Sequence, residues 1–207
     1  MAHIVLRKLR NAWRLAHKNP RRLIRHYCVR LDVFEVYWKR VDAVPPPELP
    51  PGISCVPLSD DELKRLPQAF AVQTDRFQRL GFNSAYAVYV NGVPGHVAWL
   101  ITPELDELRA TRILKLRQRE AEIAHCLTAP EFRGQGLYGI AIRTLAEVAR
   151  RKGIRDIYMI VLSGNKVSAK GILSAGLVLR ARSIRVWLMP DWNGRSFLWR
   201  GQRWPAL

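Results

Sequence analysis

Pro130-Glu131-Phe132-Arg133-Gly134-Gln135-Gly136-Leu137-Tyr138-Gly139 is a glycine-rich turn that opens a helical pattern and follows a strand-like apolar segment. Backbone N–H groups left bare at a helix start carry the positive end of the dipole and suit an anion such as a phosphate. Glycine lets the anion come close. Gly-x-Gly-x-x-Gly fits only on Gly134, Gly136 and Gly139, and no acidic residue follows about 20 positions on at a strand end to hold a ribose, so the dinucleotide fingerprint is not met. No Gly-Lys-Ser/Thr closes the turn as in a P-loop. Just upstream, Glu122 and His125 are residue types able to take a proton.

The elements that must hold these residues follow from periodicity. Leu137, Ile140, Ala141, Leu145, Val148 and Ala149 recur at spacings of three and four, which predicts a helix with one buried face. Arg150, Arg151 and Lys152 suit its negative end, and Gly153 stops it. Ile154 to Leu162 reads as a buried strand, and Ser163-Gly164-Asn165 turns into a short helix ended by Gly176. Strand, turn, helix, strand, helix is an α/β order with parallel pairing at its centre.

Residues 121–177 resemble the cofactor-binding half of the GNAT acyltransferase superfamily, whose core motif is Gln/Arg-x-x-Gly-x-Gly/Ala, then an Asn about thirty residues on, then Gly-Phe. Arg133-Gly134-Gln135-Gly136-Leu137-Tyr138 matches except at its last position, where Tyr138 replaces Gly or Ala and Gly139 comes one residue late. Asn165 stands at the family's pantetheine-contacting asparagine, and Gly176-Leu177 stands for Gly-Phe. The resemblance implies an α/β fold with a mixed, twisted central sheet flanked by helices, and acetyl-CoA as co-substrate. It also implies a cofactor site of Arg133, Gly134, Gln135, Gly136, Leu137, Tyr138, Gly139, Asn165 and Ser168. Ala121 to Thr128 resembles the family's fourth strand, which splays from its neighbour; the backbone of Cys126, Leu127 and Thr128 is then expected to hold the pantetheine arm and polarise the thioester carbonyl.

Acyl transfer to an amine needs a base for the ammonium and a proton for the departing thiolate. Glu122 lies eleven residues before Arg133, the spacing of the catalytic glutamate in nuclear histone acetyltransferases of this superfamily. Its alternative is a solvated strand-end carboxylate paired with an arginine, and His125 is a competing base. Strand alternation places Glu122, Ala124 and Cys126 on one face, with Glu120, and Ile123, His125 and Leu127 on the other. The family's usual acid, a tyrosine seven residues after the asparagine, is Ile172 here, which leaves Tyr138, Tyr158 or Ser168 as the proton source. The function expected is acetyl transfer from acetyl-CoA to a primary amine. An amino sugar comes first, because the turn and Asn165-x-x-Ser168-x-x-Gly171 resemble bacterial members tied to cell-surface sugars, and a peptide second.

Charge is unevenly placed. The net is +17, yet residues 1–40 carry eleven Lys or Arg against Asp32 and Glu35, and residues 176–207 carry six Arg against Asp191, which leaves +3 for residues 41–175. Leu6, Leu9, Trp13 and Ala16, interleaved with basic residues, predict a basic amphipathic helix in 1–27, suited to an anionic membrane surface, to RNA, to docking on the domain, or to an organellar transit peptide, although it lacks the serine enrichment of the last. Trp187, Trp192, Trp199 and Trp204 interleave with arginines near the C-terminus in two expected strands, 178–189 and 196–204. The second functional class is therefore a weak or inactive GNAT-fold module attached to RNA or membrane by its basic termini. No apolar run reaches the ~18 residues of a span, and three cysteines without metal spacing suit a reducing cytoplasm, with the inner membrane face as a peripheral option. The oligomeric state is open, a dimer included.

The expected organisation is a basic extension over 1–44, a proline-rich linker over 45–52 and a catalytic domain over 53–207. Within the last, Ile53 to Leu58 reads as a strand and Ser59-Asp60-Asp61-Glu62 as a capping box. Ala85 to Ile101 reads as a hairpin on Asn91-Gly92, and 103–108 as a loop. Phe70, Phe77, Leu80 and Phe82 supply apolar surface where the resemblance implies the acceptor pocket.

Overall fold

The computed structural model describes residues 29–41, 48–71, 74, 81–82, 84–108, 113–188 and 196–197. The amphipathic helix expected over 1–27, Phe77, Leu80, residues 45–47 of the proline tract, and Trp192, Trp199 and Trp204 lie outside them. The strands are β1 (Val29–Arg40), β2 (Ile53–Pro57), β3 (Ala85–Val90), β4 (Val93–Ile101), β5 (Glu120–Thr128), β6 (Asp156–Leu162), β7 (Val178–Leu188) and β8 (Ser196–Phe197). The helices are α1 (Asp60–Lys64), α2 (Pro103–Asp106), α3 (Leu137–Arg151) and α4 (Lys166–Ser174), with a 3-10 turn at Pro130–Phe132.

Two compact units are distinguished. In the larger, residues 36–161 and 165–180, the strands run in the order β2-β3-β4-β5-β6, followed by residues 36–40 of β1 and 178–180 of β7. Pairing is antiparallel from β2 to β5 and parallel between β5 and β6, so the sheet is mixed. In the smaller, residues 1–35, 162–164 and 181–207, β8 pairs antiparallel with β7 at Val186↔Phe197 and Trp187↔Ser196.

Local chemistry explains the elements. Ser59 caps α1 by accepting from Glu62 N while Glu62 Oε2 accepts from Ser59 N at 2.7 Å, the reciprocal box expected. Asn91 (φ 49) and Gly92 (φ 81) make the left-handed turn of the β3–β4 hairpin. α3 buries Leu137, Ile140, Ala141, Ile142, Leu145, Ala146 and Ala149. Of these, Ile142, Leu145, Ala146 and Ala149 meet Ala98 and Leu100 of β4, Ala121 and Ile123 of β5, and Ile157 and Met159 of β6 in the main core, while Leu137, Ile140 and Ala141 pack with Val88 of β3.

Two expectations change. Residues 29–40, read as part of the extension, form β1; its basic residues hide an alternation of Val29, Leu31 and Val33, and Val36 and Tyr37 are buried. Residues 103–106, read as loop, form one turn of helix, with Pro103 at its start, Glu104 and Asp106 in its first turn, and Asp106 buried. The expected strand over 196–204 lies outside the described residues except at Ser196–Phe197, which form β8.

Candidate active site

β5 and β6 pair at Glu120↔Asp156, Ala121↔Ile157 and Glu122↔Tyr158, and the ladder ends there. The strands then part, as the resemblance implied, while the other edge of β5 stays paired to β4 as far as His96↔Thr128. Thr128 leads straight into the glycine turn. Gly134 (φ 80) and Gly136 (φ 76) are left-handed, which a side chain would strain, and a Cβ at either would meet nothing within 4 Å. Gly136 is the N-cap of α3 and makes no side-chain cap, and no acid lies in the first turn. The contrast with α1, whose start carries Asp60, Asp61 and Glu62, is informative. At α3 the positive end of the helix is left for something else.

Arg133, Gly134, Gln135 and Gly136 are exposed. Leu137 is not: its side chain is core, so only its backbone N–H can serve an anion. The turn is seated on β4 at Gly95, where a Cβ would lie 2.7 Å from Leu137 Cδ1 and 3.0 Å from Phe132 Cγ.

A bulge reorders the expected faces of β5. Val97 pairs with Leu127 but Trp99 pairs with Ala124, so His125 and Cys126 together oppose Ala98. His125 takes up the extra residue with φ 55. Ala124 and His125 then share the Trp99 face, His125 edge-on to Trp99 at 6.4 Å, and Cys126 turns to the core of Ala121 and Ile123. The predicted grouping of Cys126 with Glu122, and of His125 with Ile123, is corrected. Alternation holds only while no residue is inserted.

Glu122 is 5% exposed, so the solvated strand-end carboxylate is also corrected. Beside it, Tyr158 donates to Glu120 Oε1 at 3.3 Å, and Glu120 Oε2 accepts from Arg117 N at 2.8 Å. Burial, then the Glu120 charge, pushes the Tyr158 phenol up. That hydroxyl is engaged at the paired end of β5, away from the opening.

On the α3 side, burial pushes the Tyr138 phenol up, and the Ser168 side chain of α4 offsets this in part. Asn165 caps α4 by accepting from Ser168 N at 3.2 Å, which directs its amide nitrogen away from the helix. Thr128 Oγ1 lies 2.7 Å from His96 Nδ1. Ile172, where the family's acid would stand, is fully buried in the core. Burial pushes the Cys126 thiol up, so this cysteine is a packing residue rather than a nucleophile.

Among the described residues no group of three or more His, Cys, Asp or Glu could hold a metal ion. The GNAT acetyltransferase family model matches residues 59–170. The chain belongs to the GNAT family. No curated protein matches it. Among solved structures, this GNAT chain is similar to a GNAT-family acetyltransferase of Novosphingobium aromaticivorans at 20% identity and TM-score 0.53, covering 76% of this chain and 63% of that one. A GNAT acetyltransferase of Colwellia psychrerythraea gives 16%, 0.55, 81% and 60% in the same order. The glucosamine N-acetyltransferase region of a fungal multi-domain β-N-acetylglucosaminidase gives 16%, 0.59, 75% and 21%. These likenesses establish the fold. The GNAT chain spans about three fifths of the length of the two bacterial structures.

His96 was not singled out from sequence, although a histidine alternating with Ala98 and Leu100 on a strand is a signal. Gly171, quoted only within a motif, stands inside a nine-residue helix, where glycine is costly unless something approaches closely.

Proposed function

We propose that this chain transfers the acetyl group of acetyl-CoA to a primary amine of a small molecule, an amino sugar first and a peptide amine second. The reading is carried by the parting of β5 from β6 beside the uncapped glycine start of α3. One feature offers donors to an extended arm and the other to its phosphates.

Acetyl-CoA supplies the acetyl group already activated as a thioester. Arg133 and the N–H groups of Gly134 to Gly139 would hold the phosphates. The backbone of Cys126, Leu127 and Thr128 would hold the arm and steady the thioester carbonyl, at a few kcal/mol per donor. Asn165 and Ser168 approach from the start of α4. Glu122, or a water it orders, takes the proton of the acceptor ammonium. Tyr138 is the proton donor to the leaving sulfur, since Tyr158 is held by Glu120 and Ile172 is core. The amino-sugar preference draws on the motif of the turn and α4 and on the glucosamine acetyltransferase region among the neighbours.

Thiol release measured over a panel of acyl-CoA donors and amine acceptors tests the function. Release only with acetyl-CoA and an amino sugar is expected; none with any amine sinks the reading. The second reading, a GNAT-fold module that has lost transfer and attaches to RNA or membrane through its basic termini, is favoured by Ile172. Calorimetry with acetyl-CoA separates the two, because a silent scaffold has no need to bind it.

A further inference from the structure

The ring of Tyr138 is held on two sides by residues with no assigned part in the reaction. On one side is Gly171 of α4. A Cβ there would fall 2.5 Å from Tyr138 Cδ1 and 2.8 Å from Cε1, so the ring occupies the space that any other residue would fill. On the other side is His96 of β4, its ring centroid 5.7 Å from that of Tyr138 with the planes tilted by 38°. His96 is 1% exposed and tied through Nδ1 to Thr128 Oγ1 at 2.7 Å.

Both features are expensive for stability alone. Glycine within a helix loses more backbone freedom on folding than alanine would. Either tautomer of His96 leaves Nε2 buried without a hydrogen-bond partner among the described residues, which costs the desolvation of a polar atom. What they achieve together is a fixed ring. Ser168, at the start of α4, is the polar side chain nearest to act on the Tyr138 hydroxyl.

We infer that Gly171 and His96 are positioning residues that clamp Tyr138, so that a tyrosine on α3 serves as the fixed proton donor where α4 offers only Ile172. The inference rests on the acetyl-transfer reading and adds the device that places the acid. Tyr138 Oη gives its proton to the sulfur, which leaves with the electron pair of the broken C–S bond, and regains one from solvent by way of Ser168. His96 also anchors Thr128, the last residue of β5, so one side chain joins the strand that would receive the arm to the ring that would protonate the sulfur.

A double-mutant cycle of Gly171→Ala against Tyr138→Phe tests this, because phenylalanine keeps the ring and drops the hydroxyl. Gly171→Ala is expected to lower kcat about tenfold or more, with the calorimetric affinity for acetyl-CoA within about twofold, and to cost no further rate in Tyr138→Phe. His96→Leu is expected to behave alike. Without any ligand, Gly171→Ala should lower the melting temperature by about 3–10 °C, and Gly171→Ala/Tyr138→Ala should restore it by giving the new methyl room. The same fractional loss of rate from Gly171→Ala in both backgrounds, an unchanged kcat in Tyr138→Phe, or no recovery of melting in the double variant would each overturn the clamp while leaving acetyl transfer standing. A wild-type chain that releases no thiol with any amine removes the acetyl-transfer reading itself, and the clamp with it.

Discussion

Glu122 is withdrawn from water in a chain that has 34 Lys and Arg to pair with its 17 carboxylates, and it stands at the last rung before β5 and β6 part. A carboxylate is seldom buried without a task. Glu122→Gln keeps the shape and removes the proton acceptor, so kcat should fall by roughly 10²-fold while the calorimetric affinity for acetyl-CoA stays unchanged. Equal turnover in the variant would end its assignment as base. His96 gives a pH prediction. Burial lowers its imidazole from the ordinary 6.5 to about 4, so the unfolded chain binds the proton more readily than the folded one between those values. Stability is therefore full above about 6.5 and is lost as pH falls toward about 4. Urea midpoints followed across that window should drop, and His96→Gln, which cannot titrate there, should flatten the slope; parallel curves would contradict it.

α3 carries its functional and structural halves at opposite ends. Its start is the left-handed Gly136, and Gly136→Ala should cost about 1–2 kcal/mol and weaken acetyl-CoA binding together, read by melting and calorimetry. Its other end is secured by Glu147, whose two oxygens accept from Arg150 and Arg151 at 2.7 and 2.8 Å. The two guanidinium groups hold that carboxyl down at about 2. The bonds are thus present at neutral pH and are lost as pH falls from about 4.5 toward 2, and Glu147→Gln should be less sensitive over that interval in acid unfolding. Elements such as α3, α1 and the β3–β4 hairpin were legible because one local signal sufficed: a period, a capping box, an Asn-Gly pair. β1 was missed because Arg30, Lys39 and Arg40 masked its alternation, and strand partners distant in sequence leave no local mark. The bulge at His125 was invisible for a related reason, since an inserted residue shows only against Val97 and Trp99 on the partner strand. The glycine turn and Asn165 could be read from spacing, whereas the Tyr138 contacts required α3, α4 and β4 to be brought together.

Seen as a whole, the chain separates charge from chemistry. Residues 1–28 hold eight Lys or Arg and no acid, while 41–175, which include the candidate site, hold a net of only +3. Deleting residues 1–27 should abolish co-flotation of the protein with anionic vesicles while leaving thiol release intact; equal flotation would remove the membrane from consideration. Among the described residues no helix is long and apolar enough to cross a membrane. The parting of β5 and β6 has a last consequence. Bare strand edges normally recruit further strands and lead to aggregation, and proteins protect the outer margins of their sheets for that reason. Here the bare edge is internal, joined at Glu122 and Tyr158 and bordered by β4 on one side and β1 on the other. A foreign strand cannot slide into a cleft closed at one end. A thin flexible chain entering from the open end can, so the same geometry that ends the ladder also limits what can enter it.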